Sequence, residues 1–509
     1  MQHVKTKAIL PVIAISLMTV ISAVSGLMVS LPSIARDTGA TQTQLTWVVD
    51  AYTVVFSGFL LIAGALSDRY GRRAVLIVGL SIYVFANVIG LGLSDAPQLI
   101  ALRAFTGFGA ALIMPSTLSV ITTSFTGEER SKAIGVWVGV AGGGAIIGLF
   151  GTAFLLRYFD WHSFFSLNIV LAIIALIGTF LVIPESKGED HAKLDLLGGL
   201  LSIIGIGFMV YGIIEGPEQG WTSINTLGGL IVGVLALATF IWWELRNPNP
   251  LLDPRSFKNL GFTAGSLSIT LQFLCQFGFI FVGLQYLQYV AGFSAWDAVL
   301  RLLPIPLFIL PSSRIVGKLA ATIPQKKLGS IGMALIATGL FIFTGLSTEF
   351  NVWHFWLGLG FFAVGMAFAS VPATTAITAS LPQSKQGVAS AVNDVSRELG
   401  SAIGIAILGS ALNNTYRSSI STDLAKLPKE FLSRIQDSIA FTQVDPNIIV
   451  QKFPAAKGLL SGWDHIVLTA KSAFTEGMHL SLTIAGWIAI VGALIIIMIA
   501  PNKVARPQD

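Results

Sequence analysis

Three charged side chains fall within five positions of an otherwise apolar stretch: Asp394, Arg397 and Glu398. Asp394 and Glu398 are four residues apart, so on a helix they share a face, with Arg397 on an adjacent one. Counted from a helix start near residue 387, they lie about 10 Å and about 16 Å along the axis, the second close to a bilayer midplane. A carboxylate at such depth is functional by default. Burial penalises its charged form and a neighbouring cation favours it, so its proton affinity is tunable, as a proton-coupling site requires. The competing reading is a static ion cluster that packs the helix near one membrane surface. Asn393 could donate to a cargo or bond across to another helix. Asp50, in Trp47-Val-Val-Asp50-Ala-Tyr52, and Arg103 are each about six residues inside their own apolar runs, roughly 9 Å deep. They are expected to pair, directly or through water, or else each to snorkel to the outer interface.

Polar groups among aromatic ones mark a second region. Gln272, Gln276, Tyr286, Gln288 and Tyr289 are interspersed with Phe273, Phe277, Phe279 and Phe281. Apolar walls with few polar anchors suit an amphipathic organic compound, while the plainer reading is hydrogen bonding between helices. Arg301 and Arg314 flank Pro304, Pro306 and Pro311, which should break that helix. Arg314 is expected to neutralise Asp394 or Glu398. There is no phosphate-binding Gly-x-x-x-x-Gly-Lys-Ser/Thr loop, so ATP is not expected to drive any transport. The scattered histidines have no metal-ligand spacing, and Cys275 is the sole cysteine, so no intrachain disulfide forms.

The chain that must position these groups has 509 residues, 54% hydrophobic and 11% charged, with a net charge of +5. A soluble protein carries about 25% charged residues. Apolar runs recur along nearly the whole length, giving an all-α polytopic membrane protein with no room for a large soluble domain. Fourteen spans are predicted, at about 8–30, 44–66, 74–94, 97–120, 131–155, 163–184, 195–215, 225–244, 261–291, 297–317, 328–346, 353–378, 387–413 and 479–500. A basic turn, Gly64-Ala-Leu-Ser-Asp68-Arg69-Tyr-Gly71-Arg72-Arg73, joins spans two and three. Loops on its side hold most of the Lys and Arg (Lys5, Lys7, Arg130, Lys132, Lys326, Lys327 among them), and the short loops opposite hold Arg36 and Arg157. The positive-inside rule then puts both termini in the cytoplasm. The lysines and arginines concentrate in short loops and form no basic face, so no nucleic-acid partner is expected. One outer connection is long, about 414–478, with an amphipathic pattern at Leu424, Leu427, Phe431, Leu432 and Ile435 that predicts an ordered hairpin or interfacial helix.

Gly317-Lys-Leu319-Ala320 with Pro324-Gln-Lys326-Lys327 looks like a worn copy of the basic turn, between spans ten and eleven. The repeat divides the chain into a six-helix half (1–184), two inserted helices with linkers (185–260) and a second six-helix half (261–509). The basic turn resembles the Gly-x-Leu-x-Asp-Arg-x-Gly-Arg-Arg signature of the major facilitator superfamily. Leu102-Arg103-Ala-Phe-Thr-Gly107-Phe-Gly109-Ala110 resembles its intramembrane arginine motif. Pro250-Leu251-Leu252-Asp253 with Phe257, and Ala389-Ser-Ala391-Val-Asn393-Asp394-Val-Ser-Arg397-Glu398-Leu-Gly400, resemble the fourteen-helix drug:proton antiporters, the QacA/EmrB-like group.

The resemblance implies a major facilitator fold. It also implies a secondary transporter that exports amphipathic organic compounds against protons, in a cell (inner) membrane. A periplasmic adaptor protein would be a candidate partner. The proton gradient is the energy source and no cofactor is needed. On this reading Asp50, Asp394 and Glu398 couple protons. Arg103, Asn393, Gln272, Gln276, Tyr286, Gln288 and Met28 line the cargo cavity. Gly64, Asp68, Arg69, Gly71, Arg72 and Arg73 gate it, with Asp68 facing the start of span thirteen near Gly387 and Ala389, where a carboxylate meets free N–H groups and the helix dipole. Two departures from the family pattern stand out. Span five has Gly148-Leu149-Phe150-Gly151-Thr152-Ala153 where exporters carry Gly-Pro-x-x-Gly-Gly, and span one has Ala23 and Met28 where an aspartate and an asparagine are usual. These departures favour the alternative of a uniporter or symporter for an endogenous metabolite. A membrane sensor or scaffold is a third reading, and a large soluble domain would favour it.

Overall fold

A computed structural model describes residues 2–125, 127–186, 195–248, 250–320, 322–380, 386–425, 427–446, 449 and 462–502. Its regular elements among these residues are helical. In order they are α1 (Gln2–Thr38), α2 (Gln42–Tyr70), α3 (Arg72–Gly90), α4 (Ala96–Ser124), α5 (Gly127–Leu155), α6 (Ser163–Val182), α7 (Leu196–Gln219) and α8 (Ile224–Glu244). After them come α9 (Leu260–Gln285), α10 (Ala295–Leu300), α11 (Pro304–Leu319), α12 (Gln325–Phe343), α13 (Val352–Ala379), α14 (Gln386–Asp423), α15 (Lys429–Asp437) and α16 (Trp463–Ile499).

Among the described residues, twelve helices are long and apolar enough to cross a membrane, against the fourteen spans expected. α2 and α5 stand outside the twelve, although each runs for 29 residues. Span ten is broken as its prolines predict, but at residues 301–303. Pro304 heads α11, where a missing N–H costs nothing, and Pro311 is carried inside the helix. Span nine ends in a π-turn over Tyr286–Val290.

The connection after α14 is shorter than its predicted 414–478, because α14 continues to Asp423 and α16 already begins at Trp463. With 38 residues α14 is about 57 Å long, well beyond a hydrocarbon core of about 30 Å. The amphipathic segment becomes α15, which buries Phe431 and Ile435. It folds back on the α14 extension: Tyr416 Oη donates to the Ile435 carbonyl (2.8 Å), and Arg417 pairs with Asp437 (2.8 Å).

By internal contacts the chain forms two compact units, 1–30 with 47–210 and 229–254, and 31–46 with 211–228 and 255–509. In the first, α3 packs on α4 and α6, and glycines set the distances: a Cβ on Gly79 would strike Leu112, and one on Gly90 the Phe165 ring. The inserted helix α7 packs on α2 in this unit, Ile203 filling the space left by Gly58. In the second, α9 lies on α14, and α12 on α13 and α16. That unit also takes the ends of the α1–α2 and α7–α8 hairpins, through Asn413 Nδ2 to Thr43 Oγ1 (3.0 Å) and Ser410 Oγ to the Ile213 carbonyl (2.7 Å).

The basic turn is built around Gly71, whose φ of 112° is open to glycine and strained for any L side chain. Glu185, just past α6, caps α3 from across the turn. Its Oε1 accepts from the Arg73 N–H (3.2 Å) and its Oε2 from the Ala74 N–H (3.1 Å). Arg73 in turn donates to the Phe180 carbonyl (2.8 Å), and the Arg72 N–H to Ser186 (3.0 Å). A carboxylate on the free N–H groups of a helix start satisfies donors and complements the dipole. Glu185→Ala should therefore lower stability by about 1 kcal/mol. Gly71→Ala should lower it further, because a Cβ would lie 2.5 Å from Glu185 Oε1. Thermal unfolding of the two purified variants in detergent checks the order.

Candidate functional site

α2 and α4 approach one another where α4 has Gly107: a Cβ there would overlap the Tyr52 carbonyl oxygen. The two helices run parallel at this crossing, so one turn back Arg103 comes to lie against residue 48. Its Nε donates to the Val48 carbonyl (3.1 Å), and its guanidinium carbon lies 4.3 Å from the Tyr52 ring centroid. Tyr52 Oη continues to the Val20 carbonyl on α1 (3.0 Å). Arg103 is thus fully buried and held by a carbonyl and a π-face.

The expected Asp50–Arg103 ion pair is not formed. Val48 and Tyr52 are four residues apart and share the face of α2 that meets α4, whereas Asp50 is two residues from each and points away. Matching depth put the two charges together in the sequence reading; azimuth separates them. Asp50 is fully buried, and neither carboxylate oxygen meets a donor among the described residues.

In the second unit, Gly400 and Gly404 of α14 fit against the Thr270 and Leu274 carbonyl oxygens of α9. That seam turns Arg397 onto the Phe273 ring, 5.1 Å from its centroid. Asp394 is buried with Oδ1 unpartnered, Glu398 is half-buried on the same face, and Arg397 pairs with neither. No salt bridge among the described residues closes the cluster, although Arg397 lies near enough to act on both charges. Arg314 does not neutralise either acid; it is exposed on α11. Asn393, buried, accepts from Thr374 Oγ1 of α13 (3.4 Å).

The polar groups of span nine separate into two kinds. Gln272 is committed to Ser370 of α13 through two hydrogen bonds (2.6 and 2.8 Å), and Tyr286 donates to the Ser347 carbonyl (2.6 Å). Gln288 is buried. Gln272 thus has the interhelical role, and Tyr286 ties the end of span nine to the connection between α12 and α13. Gln276 keeps a buried Oε1 without a donor, between Phe273 and Phe277, whose rings stack at 5.8 Å. Phe279 is not a cavity wall: it stacks on Phe343 at 4.5 Å in the core. Met28 is buried in α1, one residue from the Leu27 and Val29 that are buried with it.

For the gating turn, Gly64 faces Pro115 and Arg69 is exposed beside Tyr70. The Asp68 side chain and those of Gly387 and Ala389 lie outside the described residues. Sequence reading missed Tyr52, the Glu185 cap and a buried network of Tyr83, Asn168 and Ser22. Tyr83 Oη and Ser22 Oγ both reach Asn168 Oδ1 (2.9 and 3.2 Å). The first carboxylate after span six, on the same side as the basic turn, was the available signal for Glu185.

Paired helical units with buried, unneutralised carboxylates inside bilayer-length helices define a membrane transporter rather than an enzyme. The family model described as Major Facilitator Superfamily matches residues 13–405, and the chain belongs to that superfamily. It is 30% identical over 467 residues to the methyl viologen resistance protein SmvA of Salmonella typhimurium, covering 90% of this chain and 91% of that protein. It is 29% identical to the multidrug resistance protein Stp of Mycobacterium tuberculosis, covering 90% of this chain and 85% of Stp. Among solved structures it resembles an inward-facing bacterial homologue of the human lysosomal transporter Spinster, at 14% identity and TM-score 0.66, covering 98% of this chain and 99% of that one.

Arg103→Lys should not rescue Arg103→Ala, because a point-charge ammonium loses the stacking on Tyr52. Tyr52→Leu should lower transport more than Tyr52→Phe, which keeps the ring. Initial rates of substrate flux in vesicles, normalised to protein in the membrane, compare the four.

Proposed function

We propose that this chain exports amphipathic organic compounds in exchange for protons by alternating access. The observation that carries the reading is Asp394, buried in a membrane helix with an unpartnered oxygen and Glu398 on its face. A buried acid with an oxygen that no donor fills and no ion pair within reach answers to a proton or to a cationic cargo, and competition between the two is antiport. Asp50 offers the same chemistry in the first unit. Phe273, Phe277 and Gln276 supply an apolar face with one free polar atom, and Arg397 lies on the helix that carries Asp394 and Glu398. The names of SmvA and Stp, resistance to methyl viologen and to multiple drugs, favour organic cations as cargo.

The same reading takes fourteen spans, adding α2 and α5 to the twelve, since 29 residues exceed the about 20 that a bilayer requires. It places both termini in the cytoplasm of a cell (inner) membrane, with the proton gradient as sole energy source, and leaves a periplasmic adaptor as a candidate partner. A uniporter or symporter is the second reading. What favours it is span one, where Ala23 and Met28 are buried and apolar.

Everted vesicles with an imposed pH gradient decide between them. Gradient-driven uptake of a fluorescent organic cation is expected, and it should fall at least tenfold in Asp394→Asn and Glu398→Gln. Flux that ignores the gradient would overturn antiport. Cargo binding to detergent-solubilised Glu398→Gln should persist across pH 6–8 while the unmodified chain loses affinity toward the acid end, where protons compete.

A further inference from the structure

Outside that site, the beginning of α7 and the end of α8 bring two more carboxylates together. Asp195 is the residue before α7 and caps it, Oδ1 accepting from the Gly198 N–H (2.8 Å). Trp243 Nε1 of α8 donates to both Asp195 oxygens (2.9 and 3.0 Å), and Asn247 Nδ2 donates to Oδ2. Asp195 therefore acts as an acceptor only, filled by neutral N–H groups.

Glu244, the last residue of α8, is fully buried beside it. Its Oε2 accepts from the Leu252 N–H (3.3 Å), while Oε1 has no donor. Oε1 is aimed at Asp195. A Cβ on Gly198 would lie 2.5 Å from Glu244 Oε1 and 2.6 Å from Asp195 Oδ2, so the two oxygens face the same small gap and lie within about 5 Å of each other. The missing Cβ of Gly198 is the space in which the carboxylates meet. Among the described residues no cation balances them: neither makes an ion pair, and Arg246 lies over the Trp242 ring at 4.2 Å instead. Asp253 and Arg255 follow on the same segment, and among the described residues Arg255 forms no ion pair with either acid. Two buried carboxylates this close, with no described cation beside them, are relieved when one carries a hydrogen that the other accepts.

We propose that Asp195 and Glu244 bind one proton as a carboxyl–carboxylate pair, carried on Glu244 Oε1 and donated to Asp195. The proton comes from solvent and returns to it. It fastens the start of α7 to the end of α8 and, through the Leu252 N–H, to residues 250–254, the last of the first unit before the chain enters the second. Loss of the proton puts two buried like charges in contact and loosens that segment. The site is separate from Asp394 and Glu398 and does not depend on antiport.

Infrared spectra of the purified full-length chain test this. The unmodified protein minus Glu244→Gln should show a protonated-carboxyl C=O band at neutral pH that disappears at alkaline pH. Asp195→Asn should shift that band by changing its acceptor. The folded chain would hold one more proton than the unfolded chain at neutral pH, so thermal stability should fall as pH rises through the release, and the slope should be shallower in Glu244→Gln. Absence of the band at every pH at which the chain is folded overturns the proposal. So does a melting temperature of the unmodified chain that rises with Mg²⁺ or Ca²⁺ and drops with chelator, since a metal ion would then stand where the proton is placed. If Glu244→Gln does not fold, Gly198→Ala takes its place. Its Cβ enters the gap, and the band should shift or vanish; an unchanged band and unchanged pH slope count against the pair.

Discussion

Hydrocarbon offers no water to a charge, so every ionised group inside these helices must be met by protein or by something it carries. Arg103 is met in part: a carbonyl accepts from Nε and an aromatic face lies under the guanidinium, both from α2, while Nη2 has no acceptor among the described residues. That arrangement depends on Gly107, which lets α4 come near enough for the guanidinium to reach. Asp50 and Asp394 are buried without such provision. Within one protein, the cation is held by the packing at one nitrogen and one face, and the acids keep oxygens that no described donor fills.

Glycine contacts set the geometry of both units. Gly400 and Gly404 seat α14 on α9, and Gly332, Gly339 and Gly365 seat α12 on α13. In hydrocarbon, helices gain little from apolar burial against one another, and close backbone approach supplies the dispersion contacts. Each seam also fixes the rotation of its helix, and rotation decides which residue faces a neighbour. Arg397 faces Phe273 because Gly400, three residues on, faces Thr270. The cation that sequence spacing places among the acids is turned aside by the packing of the helix that carries it.

The inserted helices have a chemistry of their own. Asp195, Trp243, Glu244 and Asn247 join the start of α7 to the end of α8, close in sequence to the passage between units. Buried polar groups of this kind are high-stakes: satisfied they fix one arrangement, and half-satisfied they destabilise it. Glu185 makes the comparable connection at the basic turn, with an exposed carboxylate.

Sequence by itself determined the helical membrane class and the superfamily, through the basic turn and the arginine motif. These follow from hydropathy and from a fixed rise per residue, which are local quantities. It also foresaw the break in span ten and the amphipathic α15. Only tertiary structure decided the partners. Asp50 and Arg103 match in depth but not in azimuth; Gln272 is bound to Ser370 while Gln276 remains free; Arg314 faces outward; Glu185 reaches over a hundred residues back to α3. Partnership depends on how each helix is rotated against its neighbours, and rotation is set by contacts between residues far apart in the chain.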